Sequence, residues 1–369
     1  MGYHWQREKK GQYSDGHEHK DVMQYQQWVF LPAMAEYQKF MRKWDENGQQ
    51  ELVEPVDHHI MVWFHDESVF YAHDRHKLHW VHSSKAAKPY PKGEGASLMI
   101  ADFISADYGW LKGNGCNAQA TLKPGKGRDG YFLNDDVIGQ ATKAMQILKT
   151  CYPEDKHVLV FNNACTHSKH AEDALSVLKM PRNPKLWGVP MTIHDENGAI
   201  VYNTAGKPCT MMGHMADTTW NKQRQHLYYP DNHLEYPGYF KGMAKILEEQ
   251  GYHISGLHAQ CNKFKCQTVA AQCCCHNILF HSNDFINVKC LLQTHCEAAG
   301  FDTLFLPKFH CELNFIEPVW GYSKQIYCES PPSSKIDDVE INSQNALESV
   351  PIVTMCRQEF PLLIYHSAG

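Results

Sequence analysis

No run of about 18 apolar residues occurs anywhere in this chain, which excludes an ordinary membrane-spanning helix. The opening segment, MGYHWQREKKGQ, has no apolar stretch of the kind a secretory signal needs. Bulky aromatic and basic residues after Gly2 also make it a poor N-myristoylation site. Positive charge is in short supply: 35 Lys and Arg against 41 Asp and Glu leave a net charge of −6. Strongly DNA-binding domains are usually basic, so either a basic module has been lost or any DNA contact relies on local patches and bound metal. No internal repeat and no compact Lys/Arg run is present. The segment Lys123–Gly130, KPGKGRDG, lacks the Gly-Lys-Ser/Thr ending of a P-loop.

Cysteine and histidine are abundant, 14 and 24 residues. Seven of the cysteines fall between Cys261 and Cys296. Without a secretory signal, clustered cysteines favour metal over disulfides. Cys261, Cys266, Cys273 and Cys275 are the expected ligands of a structural Zn²⁺. Their spacing matches no standard finger, and buried or surface thiols are the alternative reading. His73, His76, His79 and His82 recur every third residue. On a strand, alternate members of that series point to opposite faces, which favours a solvated or DNA-facing strand over a metal site. Two small basic patches, Lys85/Lys88/Lys92 and Lys123/Lys126/Arg128, are candidate phosphate contacts.

With 369 residues the chain can bury one large core and a second small one. Apolar periodicity predicts a helix over 30–44, closed by the turn Asp45–Gly48. Three strands follow at Ile60–Phe64, Leu78–His82 and Ser97–Ser105. A helix over 135–150 has Asn134 as its cap and Val137, Ala141, Ala144, Met145 and Leu148 on one face. Strand 157–161, a helix near 170–180, a helix near 239–250 and a helix 285–299 capped by Asp284 come next. Strand 303–306 and a helix opening at Asn314 complete the pattern. The expected organisation is an N-terminal helical segment (1–55), a core in two parts (56–180 and 283–328), a Cys-rich insertion (181–282) and a tail (329–369) that reads as linker or disorder. The order βββ-α-β-α-(insertion)-α-β-α is that of an RNase H-like α/β fold, a mixed five-stranded sheet with flanking helices.

Three apolar strands run into polar tips at Asp66, Asn162 and the segment leading to Glu317. Convergent oxygen ligands of this kind are what two-metal phosphodiester chemistry needs, with at least one carboxylate bridging the ions. Asp66 is the candidate bridge and Glu317 the ligand of the second ion. Each also has a plainer reading: a turn residue at Asp66, a capping-box partner of Asn314 at Glu317, an Asx turn at Asn162.

The segments HDESVFYAHDRHKLHWVH, KGEGASLMIADFISADYGW, GRDGYFLNDD, FNNACTH, CNKFKC and FLPKFHCELNFIEPVWGYSK, in this order, resemble the DDE superfamily endonucleases found as transposases in fungi. These are distant relatives of mariner-like and insertion-sequence transposases, and the resemblance runs from about Gly2 to Tyr327. It implies Asp66, in Asp66-Glu67-Ser68, as the first catalytic carboxylate and Glu317, in Leu313–Glu317, as the third. The family's second aspartate falls on Asn162. Asn keeps one oxygen but loses the charge, at an implied cost on the order of 10²–10³ in rate or more; Asp102 or Asp155 are the candidates to compensate.

The resemblance also implies Mg²⁺ or Mn²⁺, DNA as partner (transposon ends or non-specific duplex), a homodimer, and a nuclear location following from the substrate. The sequence begins inside the family pattern, without an upstream helix-turn-helix, and its tail differs from the family's basic helical region. Together with Asn162, this reads as a decaying or domesticated copy. Three functions follow: an impaired DDE nuclease, a non-catalytic DNA- or protein-binding module, and an active enzyme that tolerates Asn162, for example with Mn²⁺.

Overall fold

A computed structural model describes residues 16, 18–43, 50, 58–74, 94–266, 272–331 and 333–355. The chain divides into two compact units, Met1–Lys169 with Leu292–Gly369, and His170–Leu291. The expected turn at Asp45–Gly48, the strand Leu78–His82, His76, His79, and the Lys85/Lys88/Lys92 patch lie outside the described residues.

The first unit is built on one mixed sheet of six strands: β1 (Ile60–Tyr71), β2 (Ser97–Ser105), β3 (Gly109–Trp110), β4 (Ala120–Leu122), β5 (Lys156–Phe161) and β6 (Asp302–Phe305). The spatial order is β6-β5-β1-β2-β3, and β4 also pairs with β2. β1 is antiparallel to β2 and parallel to β5, and β5 is parallel to β6. Three antiparallel strands followed by two parallel ones on the far side of β1 is the arrangement expected of an RNase H-like sheet. β3 and β4 are additions to the expected strands, both paired with β2, one near each end, while the expected strand Leu78–His82 lies outside the described residues.

β5 carries the run Val158-Leu-Val-Phe161, buried on both faces as suits a central parallel strand. β1 is longer than its apolar start predicts. After Phe64 it continues to Tyr71 with Ser68 and Phe70 buried and Glu67, Val69 and Tyr71 less so. Period-two burial replaces two-sided burial, so Asp66 lies within the strand rather than at its tip.

Helix α1 (Asn134–Cys151) buries the expected face: Val137, Ala141, Ala144, Met145 and Leu148. Asn134 does not cap it; its side-chain amide donates to the carbonyl of Thr166 at 2.6 Å. Helix α2 is shorter than predicted, Leu291–Ala298, and ends in Gly300, whose φ of +86° is open to glycine at little cost. Asp284 belongs to a separate short helix, Asn283–Ile286, and its carboxylate accepts from the hydroxyl of Thr218 at 2.8 Å and from the backbone N–H of Thr219. Helix α3 (Ile316–Glu329) carries Glu317 in its first turn, with Pro318 where no intrahelical donor is required.

The sequence past 329, expected as a tail, holds helix α4 (Ile336–Glu348). Val339, Ser343, Ala346 and Leu347 are buried along one stripe of it. Its apolar content is low, but Asp337 and Asp338 favour its first turn, and the Trp110 indole donates to Leu347's carbonyl at 3.1 Å. The N-terminal helix starts earlier than predicted, as Lys20–Tyr25, a π-helical turn Gln26–Phe30, and Leu31–Gln38. The wide turn directly precedes Pro32, whose ring and missing N–H disturb regular helix one turn back.

One face of the sheet packs with α3, α4 and the N-terminal helix into a core that includes Val62, Phe64, Phe70, Ile100, Val160, Phe315, Ile316, Trp320, Leu347, Phe30 and Met34. Trp63, Trp110 and Trp320 are all buried, and the rings of Trp110 and Trp320 pack together at 5.2 Å.

The second unit has a small core of its own, including Leu227, Phe240, Ile246, Leu247, Cys275 and Leu279. Its secondary structure is sparse: short hairpins such as Val189–Thr192 with Thr210–Gly213, and the helices Met243–Glu249 and Cys275–Phe280. A tight turn at 195–198 is closed by the Gly198 N–H on the Asp195 carbonyl and by the Ala199 N–H on the Asp195 side chain. The helix expected near 170–180 does not. The Glu172 carboxylate takes the N–H of Thr192 at 2.7 Å, and the Asp173 carbonyl takes the N–H of Ala216, so these residues bond across the unit instead of along a helix. Among the described residues no helix is long and apolar enough to cross a membrane.

Because α4 holds a buried stripe, Leu347→Ala is expected to lower the unfolding free energy by about 2–4 kcal/mol. Ile341→Ala, at a position that is 57 % exposed, should change it by no more than about 0.5 kcal/mol. Urea denaturation of both variants checks this.

Candidate active site

β1 and β5 run side by side in parallel, with Phe64 opposite Val160. Two residues further along each strand, Asp66 and Asn162 come level on the same face. Asp66 is 5 % exposed. The Asn162 amide nitrogen donates to Asp66 Oδ1 at 2.5 Å. The third element arrives from the loop after β6. A 3-10 turn, Cys311–Leu313, leads into Asn314, which is extended, and α3 then starts with the exposed Glu317.

Asn314 sets the orientation of this group. Its Nδ2 donates to the carbonyl of His65 at 3.3 Å and to Asn162 Oδ1 at 3.0 Å. Both partners are pure acceptors, so the amide of Asn314 has its nitrogen towards them. Asn162 must then present its oxygen to Asn314 and its nitrogen to Asp66. Asn314 is 1 % exposed; reversing it would set its oxygen against two acceptors, and reversing Asn162 would set two donors face to face. The capping box expected for Glu317 does not form: Asn314 Oδ1 accepts from the N–H of Ile316 at 3.5 Å, and the Asn314 N–H donates to the carbonyl of Cys311 at 2.9 Å.

The Asp66 carboxyl is pushed up to about 7 by burial first, then by the charges of Glu317 and Glu67, against the pull of the Asn162 hydrogen bond. Glu317 is therefore near enough to act on Asp66 electrostatically. As arranged, however, the trio does not fit a pair of divalent cations. One Asp66 oxygen is held by an amide N–H, the only oxygen of Asn162 faces away towards Asn314, and two carboxylates would have to balance four positive charges. Hard cations require oxygen donors aimed at them, and an N–H cannot substitute.

Neither candidate compensator makes up the deficit. Asp102 lies directly opposite Asp66 on β2, fully buried and pushed up to about 7 by that burial. Its Oδ1 accepts from the Phe103 N–H at 2.8 Å and its Oδ2 from Gln119 at 3.0 Å. Gln119 in turn accepts from Gln344 of α4, so Asp102 helps hold α4. Asp155 precedes β5 at the opposite end of the strand, roughly 20 Å from Asn162, where it accepts from the Tyr108 hydroxyl at 3.1 Å and pairs with Arg42 at 3.9 Å.

The opposite face of β1 carries a polar cluster that the sequence reading passed over. His65, Glu67 and His167 offer ligand atoms within 4.8 Å of one another. Hydrogen bonds account for most of their polar atoms, His65 Nδ1 alone of the three side chains being buried without a partner. His65 Nε2 lies 3.0 Å from Gln140 Oε1, and the Gln140 amide nitrogen is committed to the carbonyls of Ala101 and Ala118. His65 must therefore donate, and burial holds its ring down to about 4, neutral at physiological pH. His167 faces two acceptors, the carbonyl of Asn162 at 2.9 Å and Glu67 Oε1 at 2.9 Å. Burial opposes its charge, but the Glu67 bond and charge prevail and raise its pKa. The pair is an imidazolium–carboxylate brace that fixes the loop after β5, and with it Asn162. The signal was present in the sequence as Asp66-Glu67 and Thr166-His167, two residues adjoining the expected site.

Beside Asn162 a groove of about 580 Å³ runs between residues 162–165 and 306–311. Lys308 and Phe309 line it; Phe309 is 49 % exposed and held at φ +66°. Of the four cysteines expected to act together, Cys261, Cys266 and Cys273 converge in the second unit but Cys275 does not. Cys275 is fully buried in that unit's core, and its neighbour Cys274 joins the cluster instead.

No family model and no curated protein matches the sequence. Among solved structures the chain is similar to the Mos1 mariner paired end complex with Mn (16 % identity, 45 % of this chain and 42 % of that one, TM-score 0.29). It is also similar to the Mos1 transposase paired-end complex with left transposon end (16 % identity, 44 % and 42 %, TM-score 0.29), and to a pre-cleavage Mos1 transpososome (14 % identity, 45 % and 43 %, TM-score 0.28). The chain spans less than half the length of these structures.

The raised Asp66 carboxyl binds its proton more tightly in the folded chain than in the unfolded one, where its ordinary value is 3.8. Stability contributed by that group is therefore lost as pH rises from about 4 to about 7. The His167 brace acts in the same direction, since a raised histidine stabilises below its ordinary value and loses that contribution as pH climbs. His65, held down by burial, acts in the opposite sense, but the raised Asp66, Asp102 and His167 outweigh it, so unfolding free energy should be lower at pH 8 than at pH 5. Asp66→Asn, which keeps an acceptor for Asn162, should narrow that difference by on the order of 2–4 kcal/mol. Urea titrations at the two pH values test the sign and size.

Proposed function

We propose that this chain is a transposase-derived DDE endonuclease domain whose catalytic centre has exchanged cation ligation for an amide–carboxylate hydrogen bond, leaving DNA strand cleavage strongly impaired. The observation that carries the reading is the Asn162 amide donating to Asp66 at 2.5 Å while its oxygen is held by Asn314. The motif resemblance supplies the class of chemistry and the roles of Asp66 and Glu317. In this reading Asp66 and Glu317 are the surviving carboxylates of a Mg²⁺ or Mn²⁺ site whose cation ligation has been lost with the second aspartate. DNA, as transposon ends or non-specific duplex, is the partner; the active form is a homodimer; and a DNA substrate implies the nucleus. The segment His170–Leu291 is an insertion between β5 and α2.

A second reading, a DNA-binding module without catalysis, is favoured by the groove beside Asn162. Lys308 and the exposed Phe309 offer a cation and an aromatic face to a phosphate and a base. Replacing Asp by Asn next to that groove removes a negative charge that would repel a phosphate.

Nicking of supercoiled plasmid in Mg²⁺ and Mn²⁺ separates the readings, with Asp66→Ala as the blank. Asn162→Asp is expected to nick on the order of 10²–10³ times faster than the natural chain. Nicking by the natural chain at the rate of the variant would overturn the impaired-nuclease reading. If Asn162→Asp stays inactive while Lys308→Ala weakens salt-sensitive DNA binding, the binding-module reading takes its place.

A further inference from the structure

The second unit contains a constellation that the nuclease reading leaves unused. The sulfurs of Cys261, Cys266, Cys273 and Cys274 all lie within 4.8 Å of one another. Cys261 and Cys273 are 3.5 Å apart, and Cys266 and Cys274 are 4.0 Å apart. A disulfide would need about 2.05 Å, so these are free thiols, as all four are. Four thiolates at about 2.3 Å from a tetrahedral Zn²⁺ stand about 3.8 Å from each other. The two separations straddle that value.

The backbone brings the four together by a local route. His258 bridges Cys274 in parallel, its carbonyl accepting the N–H of Cys275 at 3.0 Å, and the Ala259 carbonyl accepts the N–H of His276 at 2.9 Å. That pairing sets residues 258–261 beside 273–276. Because consecutive side chains diverge, Cys274 turns to the cluster while Cys275 turns into the core with Leu279. The Cys274 sulfur also accepts a backbone N–H from Asn277 at 3.4 Å, the outer-shell bond that orients a thiolate ligand.

We propose that Cys261, Cys266, Cys273 and Cys274 form a closed structural zinc site that staples the 258–266 loop to the turn before helix Cys275–Phe280. A divalent cation favours the deprotonated form of all four sulfurs and so binds them as a set. All four positions are filled by protein, so the site has no open coordination place for catalysis. The all-sulfur set selects a soft-ligand metal over Mg²⁺ or Ca²⁺. The inference rests on the second unit alone and stands or falls independently of the Asp66 site.

The test begins with the full chain as purified. Metal analysis should find one zinc per chain, and titration with an organomercurial should release it as four thiols react. Substitution by Co²⁺ should give thiolate-to-cobalt charge transfer and the visible bands of a tetrahedral ion. Cys274→Ser should lose zinc to a chelator that the natural chain resists, while Cys275→Ala keeps one zinc and an unchanged cobalt spectrum. Absence of zinc from the chain even after refolding with equimolar Zn²⁺ would overturn the proposal, as would iron in its place. Loss of the cobalt spectrum in Cys275→Ala with its retention in Cys274→Ser would overturn the ligand assignment.

Discussion

The amide of Asn314 is the contact on which the organisation of the candidate site depends. It is buried and bonded to two carbonyl oxygens, one from the backbone of β1 and one from the side chain of Asn162. Its orientation is therefore set by the fold, and the orientation of Asn162 follows from it. A carboxylate at position 162 would still accept from Asn314 but would turn a second oxygen, with its charge, towards Asp66. Two carboxylates so close need a cation or a shared proton between them. The amide instead puts an N–H there, so the same three elements close on themselves by hydrogen bonding.

The two faces of β1 divide the labour. Asp66 looks towards α3, beside a core of Phe64, Phe315 and Ile316. Its neighbours His65 and Glu67 look the other way and, with Gln140 and His167, tie β1, α1 and the loop after β5 together. The loop that carries Asn162 is gripped from beneath by His167 and from above by Asn314. Burial raises Asp66 and Asp102 and lowers His65, whereas His167 keeps its charge because Glu67 accompanies it into the interior. Charged groups persist inside this fold only where they are paired or richly hydrogen-bonded.

Much of the sheet was legible from periodicity. β5 announces itself as a four-residue apolar run, α1 as a single apolar face, and Gly300 as a helix stop. The convergence of Asp66, Asn162 and the start of α3 was legible for the same reason: each follows an apolar segment that has to lie in the core. The extension of β1 beyond Asp66 was hidden because its pattern changes from two-sided to one-sided burial within a single strand. α4 was hidden because only a few residues of a polar segment make its contact. The helix expected near 170–180 failed because Glu172 and Asp173 find partners distant in sequence. Which of two adjacent cysteines turns towards a cluster depends on backbone direction, and spacing alone does not encode it. The orientation of an amide, on which the functional reading turns, is likewise invisible until its acceptors are in place.

The most direct test of the amide–carboxylate account is Mn²⁺ binding followed by the EPR signal of the free ion, comparing the natural chain with Asn162→Asp and Asp66→Ala. The account predicts that Asn162→Asp binds Mn²⁺ at least about tenfold more tightly than the natural chain, and that the natural chain differs little from Asp66→Ala. Tight binding by the natural chain, equal to that of Asn162→Asp and abolished in Asp66→Ala, would contradict it.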